Sequence, residues 1–417
     1  MIRQYIPTKL LDLYHFYFAV LGAIFYGNPS KKLFVVGITG TKGKSTTSEL
    51  VRTMFEGAGF KVALASTIHF RIGDDIEPNL FKMTMPGRAY LQQFMRRALD
   101  AGCTHIVLEM TSEGAKQFRH KGIELDALVF TNLQPEHLES HGSMEAYAEA
   151  KLSLAKGLEE SSKRPRYSIA NTDDTYGAKF LEAHVEIKAP FSLSMAEPYN
   201  VDDKNVRFVY KNGELFSVPL PGLFNLRNIL ATIALGEAMG INILTIKKAL
   251  EYVKPVLGRA ERIEAGQNFA VIVDYAHTPD SLKALFETYM GKRLIVVMGS
   301  TGGGRDQWKR PEMGRIADKY CQVIFLANED PYDEDPEQIV EDIAQGIHTK
   351  VPRIVLNRRG AISQAIGEAK SGDVVLLTGK GTDPYIMGSR GSKEPWSDKQ
   401  VAEEELHKLL RKQAHAR

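Results

Sequence analysis

The stretch that most limits what this chain can fold into is LFVVGITGTKGKSTTSELVRTMFEGAGF, residues 33–60. Leu33 to Ile38 is a mostly apolar, β-branched run that reads as a buried strand. Thr39 to Lys44 is a turn punctuated by Gly40 and Gly43. Ser45 to Ala58 has helical spacing, with Leu50, Val51, Met54 and Phe55 on one face and Gly57 and Gly59 closing it. Strand, glycine loop and helix in that order make a phosphate cradle. Gly40 and Gly43 let backbone N–H groups approach an anion, the helix N-terminus favours negative charge, and Lys44 adds a point charge. Ser45 is placed to ligate Mg2+, with Thr41 and Thr46 completing the loop. The longer P-loop formula wants glycine where this chain has Ile38, so the match is to the shorter form T-G-T-x-G-K-[ST]. The pattern predicts an α/β fold that binds a nucleoside triphosphate.

At 417 residues the chain has room for two or three domains. Its 43% hydrophobic and 25% charged residues are ordinary globular values, so a sizeable core is expected. A net charge of only +2 argues against a polyanion-binding surface and hence against a nucleic-acid partner. Cys103 and Cys321 both lie beside apolar strand-like runs and offer no zinc spacing. They read as buried thiols in a reducing cytoplasm.

Three segments are expected: a short apolar helical one over 1–30, an ATPase domain over 31–256, and a C-terminal domain over 257–417. The first, IPTKLLDLYHFYFAVLGAIFYGNPSKK, is interrupted by Asp12 and His15. It falls short of the about 20 apolar residues that cross a bilayer. It also fits a secretory signal poorly. Two readings stay open: a helix packed against the ATPase domain, or an interfacial helix touching the inner membrane surface through residues 10–26. In the C-terminal segment AVIVDYAHTPDSL, RLIVVMGSTGGGRD, QVIFLANEDPYDEDP and DVVLLTGKG alternate strands with helices. That rhythm predicts a second parallel sheet, Rossmann-like in outline.

The loop GTKGKST resembles the ATP loop of the Mur ligases and the folylpolyglutamate synthetases. The run TNLQPEHLESHGSMEAYAEAK favours the Mur side, closest to the branch that forms UDP-N-acetylmuramoyl-tripeptide, and the resemblance extends from about Lys32 to about Leu410. It implies ATP-driven amide formation through an acyl phosphate, with an amino acid added to a cell-wall precursor peptide. Glu109 ends the apolar run HIVLEM, where strand ends hold ligands, and is expected to bind Mg2+ beside Ser45. His137 resembles the family's ligand for a second magnesium. Lys151 matches a lysine that CO2 converts to a carbamate, an anionic ligand for that metal. This chemistry requires a neutral amine, so its pKa must be depressed.

On the acceptor side Thr84 and Pro86 resemble a threonine-proline element, with Met85 replacing a second threonine. Thr111, Gln117 and Arg119 match the family's substrate contacts, although Glu113 stands where histidine is usual. An arginine there can grip a carboxylate bidentately. Asn225 and Asn228, in FNLRN, resemble the adenine-side element, and LGRAERIE resembles the hinge between domains. VDYAHTPD contributes Asp274, Tyr275 and His277 on the nucleotide side, and GGGRDQWKRPEMG gives Arg305, Lys309 and Arg310 as phosphate or acyl-phosphate partners. Two departures touch the incoming amino acid. The diaminopimelate-adding enzymes carry D-N-P-R and G-K-G-H-E. Here the residues are Glu329-Asp330-Pro331-Tyr332 and Gly379-Lys380-Gly381-Thr382-Asp383. The arginine that would clamp a distal carboxylate is gone, while Glu329, Asp330 and Asp383 remain for an ammonium group.

Family members of this branch carry a domain before the P-loop that grips UDP. The short segment preceding the strand here cannot bury a core of its own. The acceptor is therefore expected to be held through its peptide and sugar, or to be lipid-linked or otherwise free of UDP. Two competing functions are a folylpolyglutamate-type ligase and a regulatory P-loop protein that switches on ATP; the HLxxHGSMExY run and the DYAHTPD element argue against them.

Overall fold

In the computed structural model the described residues are 8–87, 89–136, 138–211 and 213–415, with side chains of 8–12, 138 and 415 excepted. They form two compact units. The first comprises the chain up to Asn200 with Val206–Pro219 and Phe224–Val253; the second comprises Val201–Asn205, Leu220–Leu223 and the chain from Lys254.

In the first unit α1 (Thr8–Phe25) precedes β1 (Phe34–Thr39) and α2 (Lys44–Gly57). Next come β2 (Val62–Ala65), β3 (His69–Ile72), β4 (Asp75–Pro78), α3 (Tyr90–Asp100), β5 (His105–Glu109) and α4 (Ser112–Lys116). Beyond them lie β6 (Ala127–Phe130), α5 (Leu138–His141), α6 (Met144–Glu160), β7 (Tyr167–Asn171), α7 (Gly177–Leu181) and β8 (Ile187–Phe191). The sheet order is β4-β3-β2-β5-β1-β6-β7-β8. Its strands from β2 to β8 pair in parallel, and β3 and β4 form an antiparallel edge. Both faces of a parallel sheet are covered, which is why β1, β5 and β6 read as unbroken apolar runs. Val35, Val36, Ile38, Ile106, Val107 and Val129 are fully buried.

A small sheet of β9 (Tyr199–Val201), β10 (Val206–Val209) and β11 (Leu215–Val218) follows, in the order β11-β10-β9. Then come α8 (Leu223–Ala238) and α9 (Ile243–Glu251), the latter packed on α2. The sequence over 220–241 reads as a glycine turn followed by a long amphipathic helix. Instead α8 is buried almost all round from Asn225 to Gly236, because α2 and α9 both lean on it. Gly236 makes that closeness possible: a Cβ there would come within 2.6 Å of Met54 Sδ and Ile246 Cδ1.

The second unit carries β12 (Glu261–Ile263), β13 (Ala270–Val273), α10 (Pro279–Thr288), β14 (Leu294–Met298) and α11 (Lys309–Tyr320). These continue into β15 (Val323–Leu326), α12 (Pro336–Ala344), β16 (Arg353–Ile354), α13 (Arg358–Glu368) and β17 (Val374–Leu377). A hairpin of β18 (Tyr385–Met387) and β19 (Lys393–Pro395) precedes α14 (Asp398–His415). Its sheet order is β12-β13-β17-β14-β15-β16, parallel except for β12. Cys103 and Cys321 are both buried and unbridged.

Candidate active site

The loop after β1 turns where only glycine serves. Gly40 has φ +145 and an added Cβ would strike Thr131 Oγ1; Gly43 has φ +84 and an added Cβ would strike Asn228 Oδ1. The loop is tied from below, with Thr41 N on Asn132 O at 2.8 Å and Thr131 Oγ1 donating to Lys42 O at 2.7 Å. Lys44 Nζ lies on the carbonyls of Gly40 (3.0 Å) and Thr41 (2.9 Å). Lys151, on α6, reaches the same Gly40 carbonyl at 2.7 Å. Its amine sits 4.9 Å from the Tyr147 ring centre, and the Tyr147 hydroxyl meets Thr41 Oγ1 at 3.0 Å. Lys151 is 2% exposed. Burial first, then the positive charge of Lys44, push its pKa well below the ordinary lysine range. The neutral amine that carbamylation requires is thereby favoured.

Glu109, at the carboxyl end of β5, is the second feature. It accepts from Ser45 Oγ (3.1 Å), Thr67 N (2.8 Å) and Thr67 Oγ1 (2.9 Å). Thr67 Oγ1 in turn meets Thr84 Oγ1 at 2.7 Å, so Thr67 links the loop carrying Thr84 to the carboxylate expected to bind metal. Thr67 escaped the sequence reading; its position just past an apolar strand was the available signal. A similarly missed pair joins Lys42 of the glycine loop to Glu136 of the TNLQPEH run at 2.9 Å. Ser45 and Glu109 supply oxygen donors suited to Mg2+, which usually takes one or two carboxylates and completes its shell with water and phosphate oxygens. Among the described residues no group of three or more His, Cys, Asp or Glu is placed to hold a metal ion. His137 lies outside the described residues.

The residues expected on the acceptor side gather around Met85. Thr111 N donates to Met85 Sδ at 3.4 Å, and Arg119 bonds both Met85 O and Gln117 Oε1. The Thr111 hydroxyl caps α4 by accepting from Gly114 N at 3.1 Å. Asn225 and Asn228 are buried at the start of α8 and bonded to each other at 3.1 Å, with Thr47 Oγ1 on Asn228 at 3.3 Å. Thr46 is buried in the first turn of α2.

In the second unit the equivalent strand ends are closed by charge pairs. Asp274 accepts from Ala260 N (2.6 Å) and Ala276 N (2.7 Å), fixing the LGRA turn to the DYAH loop. His277 Nδ1 meets Tyr275 O at 2.6 Å. Asp383 is close enough to be the main cause of a raised Tyr275 phenol pKa. Lys380, fully buried, pairs with Asp330 (2.9 Å) and Asp383 (3.5 Å). Asp330 also accepts from Met387 N at 2.7 Å. Glu329 is 2% exposed, takes Thr301 Oγ1 at 2.9 Å on one oxygen, and has no hydrogen-bond partner on the other among the described residues. Burial raises its pKa. The Arg305 guanidinium stands 5.1 Å over the Tyr332 ring, which holds a left-handed φ of +54. Lys309 is buried, and Arg310 is locked to Glu334 (2.7 Å) and Asp342 (2.9 Å), bracing α11 against its neighbours.

A glycine loop, a carboxylate at the next strand end and a buried lysine over that loop thus lie together in the first unit. Residues 38–236 match the Mur ligase middle domain, and residues 258–381 match the Mur ligase glutamate ligase domain. The chain belongs to the Mur ligase family, whose members use ATP and Mg2+. It is 36% identical over 402 residues to the UDP-N-acetylmuramoyl-L-alanyl-D-glutamate–2,6-diaminopimelate ligase of Geobacillus kaustophilus, covering 92% of this chain and 81% of the relative. The enzyme of the same name from Bacillus licheniformis is 38% identical over 381 residues, covering 88% and 77%. A solved diaminopimelate ligase of that name superposes with a TM-score of 0.60 at 28% identity, covering 91% of this chain and 79% of the other. The folylpolyglutamate synthase of Mycobacterium tuberculosis shares the fold, with a TM-score of 0.73 at 16% identity, covering 88% and 93%. Among the described residues no helix is long and apolar enough to cross a membrane.

Proposed function

We propose that this chain joins an amino acid to the free carboxylate of a muramoyl peptide, a cell-wall precursor. The observation that carries the reading is the convergence of Lys44 and Lys151 on one loop carbonyl, with Glu109 held beside Ser45. An acceptor carboxylate oxygen attacks the γ-phosphorus of ATP; a P–O bond forms, the bridging P–O bond breaks, and ADP leaves. The amine of the amino acid then attacks the acyl carbon, the tetrahedral adduct expels phosphate, and the amine gives up its proton. Phosphoryl transfer asks mainly for positioning and charge neutralisation, the part played by Lys44 and the loop N–H groups. Magnesium bound by Ser45 and Glu109 would neutralise the phosphates. The neutral amine of Lys151 would take up CO2 as a carbamate with loss of a proton, and that group would with His137 hold a second magnesium.

Arg119, Gln117, Thr111 and Thr84 orient the acceptor peptide. Asn225, Asn228, Asp274, His277 and Arg305 serve the nucleotide, while Glu329, Asp330 and Asp383 form the acidic surroundings of the incoming amino group. With Tyr332 in place of a basic residue, the amino acid is a diamine with one carboxylate, such as lysine. The enzyme works in the cytoplasm and touches the inner membrane surface through residues 10–26, where Tyr14, Tyr17, Phe18, Leu21, Ile24 and Phe25 stand exposed on α1. Phosphate release across a panel of amino acids, with muramoyl dipeptide supplied, tests the assignment. Release that ignores both co-substrates would sink it.

A further inference from the structure

Between Leu13 and Tyr26 the chain carries no Asp, Glu, Lys or Arg. On α1 the large residues Tyr14, Tyr17, Phe18, Leu21, Ile24 and Phe25 recur at helical spacing and are exposed, Ile24 by 61% and Phe25 by 82%. The opposite face is already taken. Ala23 is buried, a Cβ on Gly22 would collide with Ala89, and a Cβ on Gly122 would come within 2.8 Å of Ala23. Phe16 meets Phe118 edge-on at 6.0 Å. Held by such close small-residue contacts, the helix cannot roll its outer face inward, and an apolar face of this extent asks for cover.

A second apolar group adjoins it. Leu80, Phe81 and Met83 are exposed by 53%, 46% and 42% on the loop that leads to Thr84. Arg119, next in sequence to Phe118, contacts Met83 Sδ at 3.6 Å. Contacts tie α1 to that loop on two sides: Phe16 to Phe118 and Arg119 to Met83 on one, and Gly22 to Ala89 beside Tyr90, whose ring meets Phe81, on the other.

Charge selects what covers it. Residues 1–32 hold Arg3, Lys9, Lys31 and Lys32 against Asp12 alone, a net +3, whereas the whole chain is +2; the remainder is therefore net −1. Lys31 and Lys32 are exposed just past the helix. A second copy would set this positive charge against itself, whereas anionic headgroups complement it. Tyrosine and phenylalanine in such number suit the headgroup boundary, where a ring is apolar and a hydroxyl stays wet. We infer that α1 and the 80–83 loop together seat the enzyme on an anionic phospholipid bilayer, so that the acceptor-side loop opens onto the headgroup layer and receives an acceptor carried on a lipid. The inference rests on the muramoyl-peptide and membrane-contact reading above and adds the loop, the lipid charge and the route of the acceptor.

The test is co-sedimentation of the full chain with vesicles of phosphatidylcholine containing phosphatidylglycerol, against phosphatidylcholine alone. The wild type should bind the anionic vesicles, more weakly as salt rises. Leu21→Glu with Phe25→Glu should weaken binding by at least about tenfold, and Leu80→Ser with Phe81→Ser by severalfold. Lys31→Glu with Lys32→Glu, which leaves every apolar contact in place, should remove the preference for anionic lipid. Given a lipid-linked muramoyl peptide in those vesicles, the wild type should turn over faster than the Leu21→Glu, Phe25→Glu form, and the two should match on a soluble muramoyl peptide. Three results overturn the inference: no vesicle binding by the wild type, undiminished binding by the Leu80→Ser, Phe81→Ser form, or a dimer in ultracentrifugation that Leu21→Glu with Phe25→Glu dissolves. Vesicle binding without any amino-acid-dependent turnover would instead remove the ligase reading and leave the surface standing.

Discussion

The carboxyl ends of the two parallel sheets solve opposite problems with the same topology. In the first unit Lys44 and Lys151 rest on a backbone carbonyl, and glycines keep the loop N–H groups approachable. In the second, buried cations meet carboxylates: Arg310 with Glu334 and Asp342, and Arg358 with Asp398 at 2.6 Å with neither side chain exposed. In the first arrangement Lys44 holds positive charge ready for an incoming anion, while burial keeps the Lys151 amine neutral. The second neutralises its own charges and so sets the shape of loops. A buried charge on a strand end is therefore no sign of ligand binding until its partner is known.

Four changes should break or sharpen that contrast. The largest effect is expected in the self-paired region. We predict that Asp398→Ala lowers stability by about 3–5 kcal/mol, because it strands the Arg358 guanidinium without its partner. Urea unfolding followed by fluorescence reads this, and a loss under about 1 kcal/mol, the worth of an exposed pair, would show that water reaches it. Lys44→Ala should do the reverse, leaving the unfolding midpoint alone while turnover drops at least ~10²-fold, as when one transition-state donor is lost. Near-normal turnover in a folded variant would remove the nucleotide assignment.

Lys151→Ala is expected to lose turnover on the order of tenfold or more, with part restored by short carboxylic acids that fill the gap. The sign of its pH dependence follows from burial. A depressed amine pKa leaves the neutral form abundant at neutral pH, so the carbamate should be lost as pH falls through that lowered value. Added bicarbonate should therefore rescue the wild type most on the acid side. Indifference to bicarbonate depletion would reduce Lys151 to a packing residue. The smallest effect concerns choice of amino acid: lysine should outperform diaminopimelate by about tenfold in kcat/KM, about 1.4 kcal/mol. Tyr332→Arg should narrow the gap; faster turnover of diaminopimelate by the wild type would mean that another basic residue grips its second carboxylate.

Much of this was legible because local order carries it. The strand, loop and helix of 33–60 fall within one residue of β1 and α2, since a β-branched run, two glycines and an apolar helical stripe each act over neighbouring positions. Glu109 was found as a strand end. Thr67 was not, because no spacing links it to Glu109 or Thr84. Its place is set by the parallel pairing of β2 with β5, where Ala65 stands opposite Leu108. The burial of α8 on every side likewise depends on helices distant in sequence. Self-neutralised pairs such as Arg358–Asp398, 40 residues apart, look like surface charge until the fold closes over them.

The contact from Thr84 to Thr67 to Glu109 has a direction as well as a length. Each threonine owns one hydroxyl proton, and the ionised carboxylate owns none. If Thr67 points its proton at Glu109, Thr84 must point its own at Thr67, and the row is polarised toward the carboxylate. A cation held by Glu109 would compete for the same lone pairs and leave Thr67 free to turn its proton back toward Thr84. Whatever acceptor group meets Thr84 would then face a lone pair in one state and a donor in the other. Linkage makes the influence mutual: if metal-nucleotide tightens the acceptor by some factor, the acceptor tightens metal-nucleotide by the same factor. An obligatory order of substrate addition could thus be written in the orientation of two hydroxyl protons.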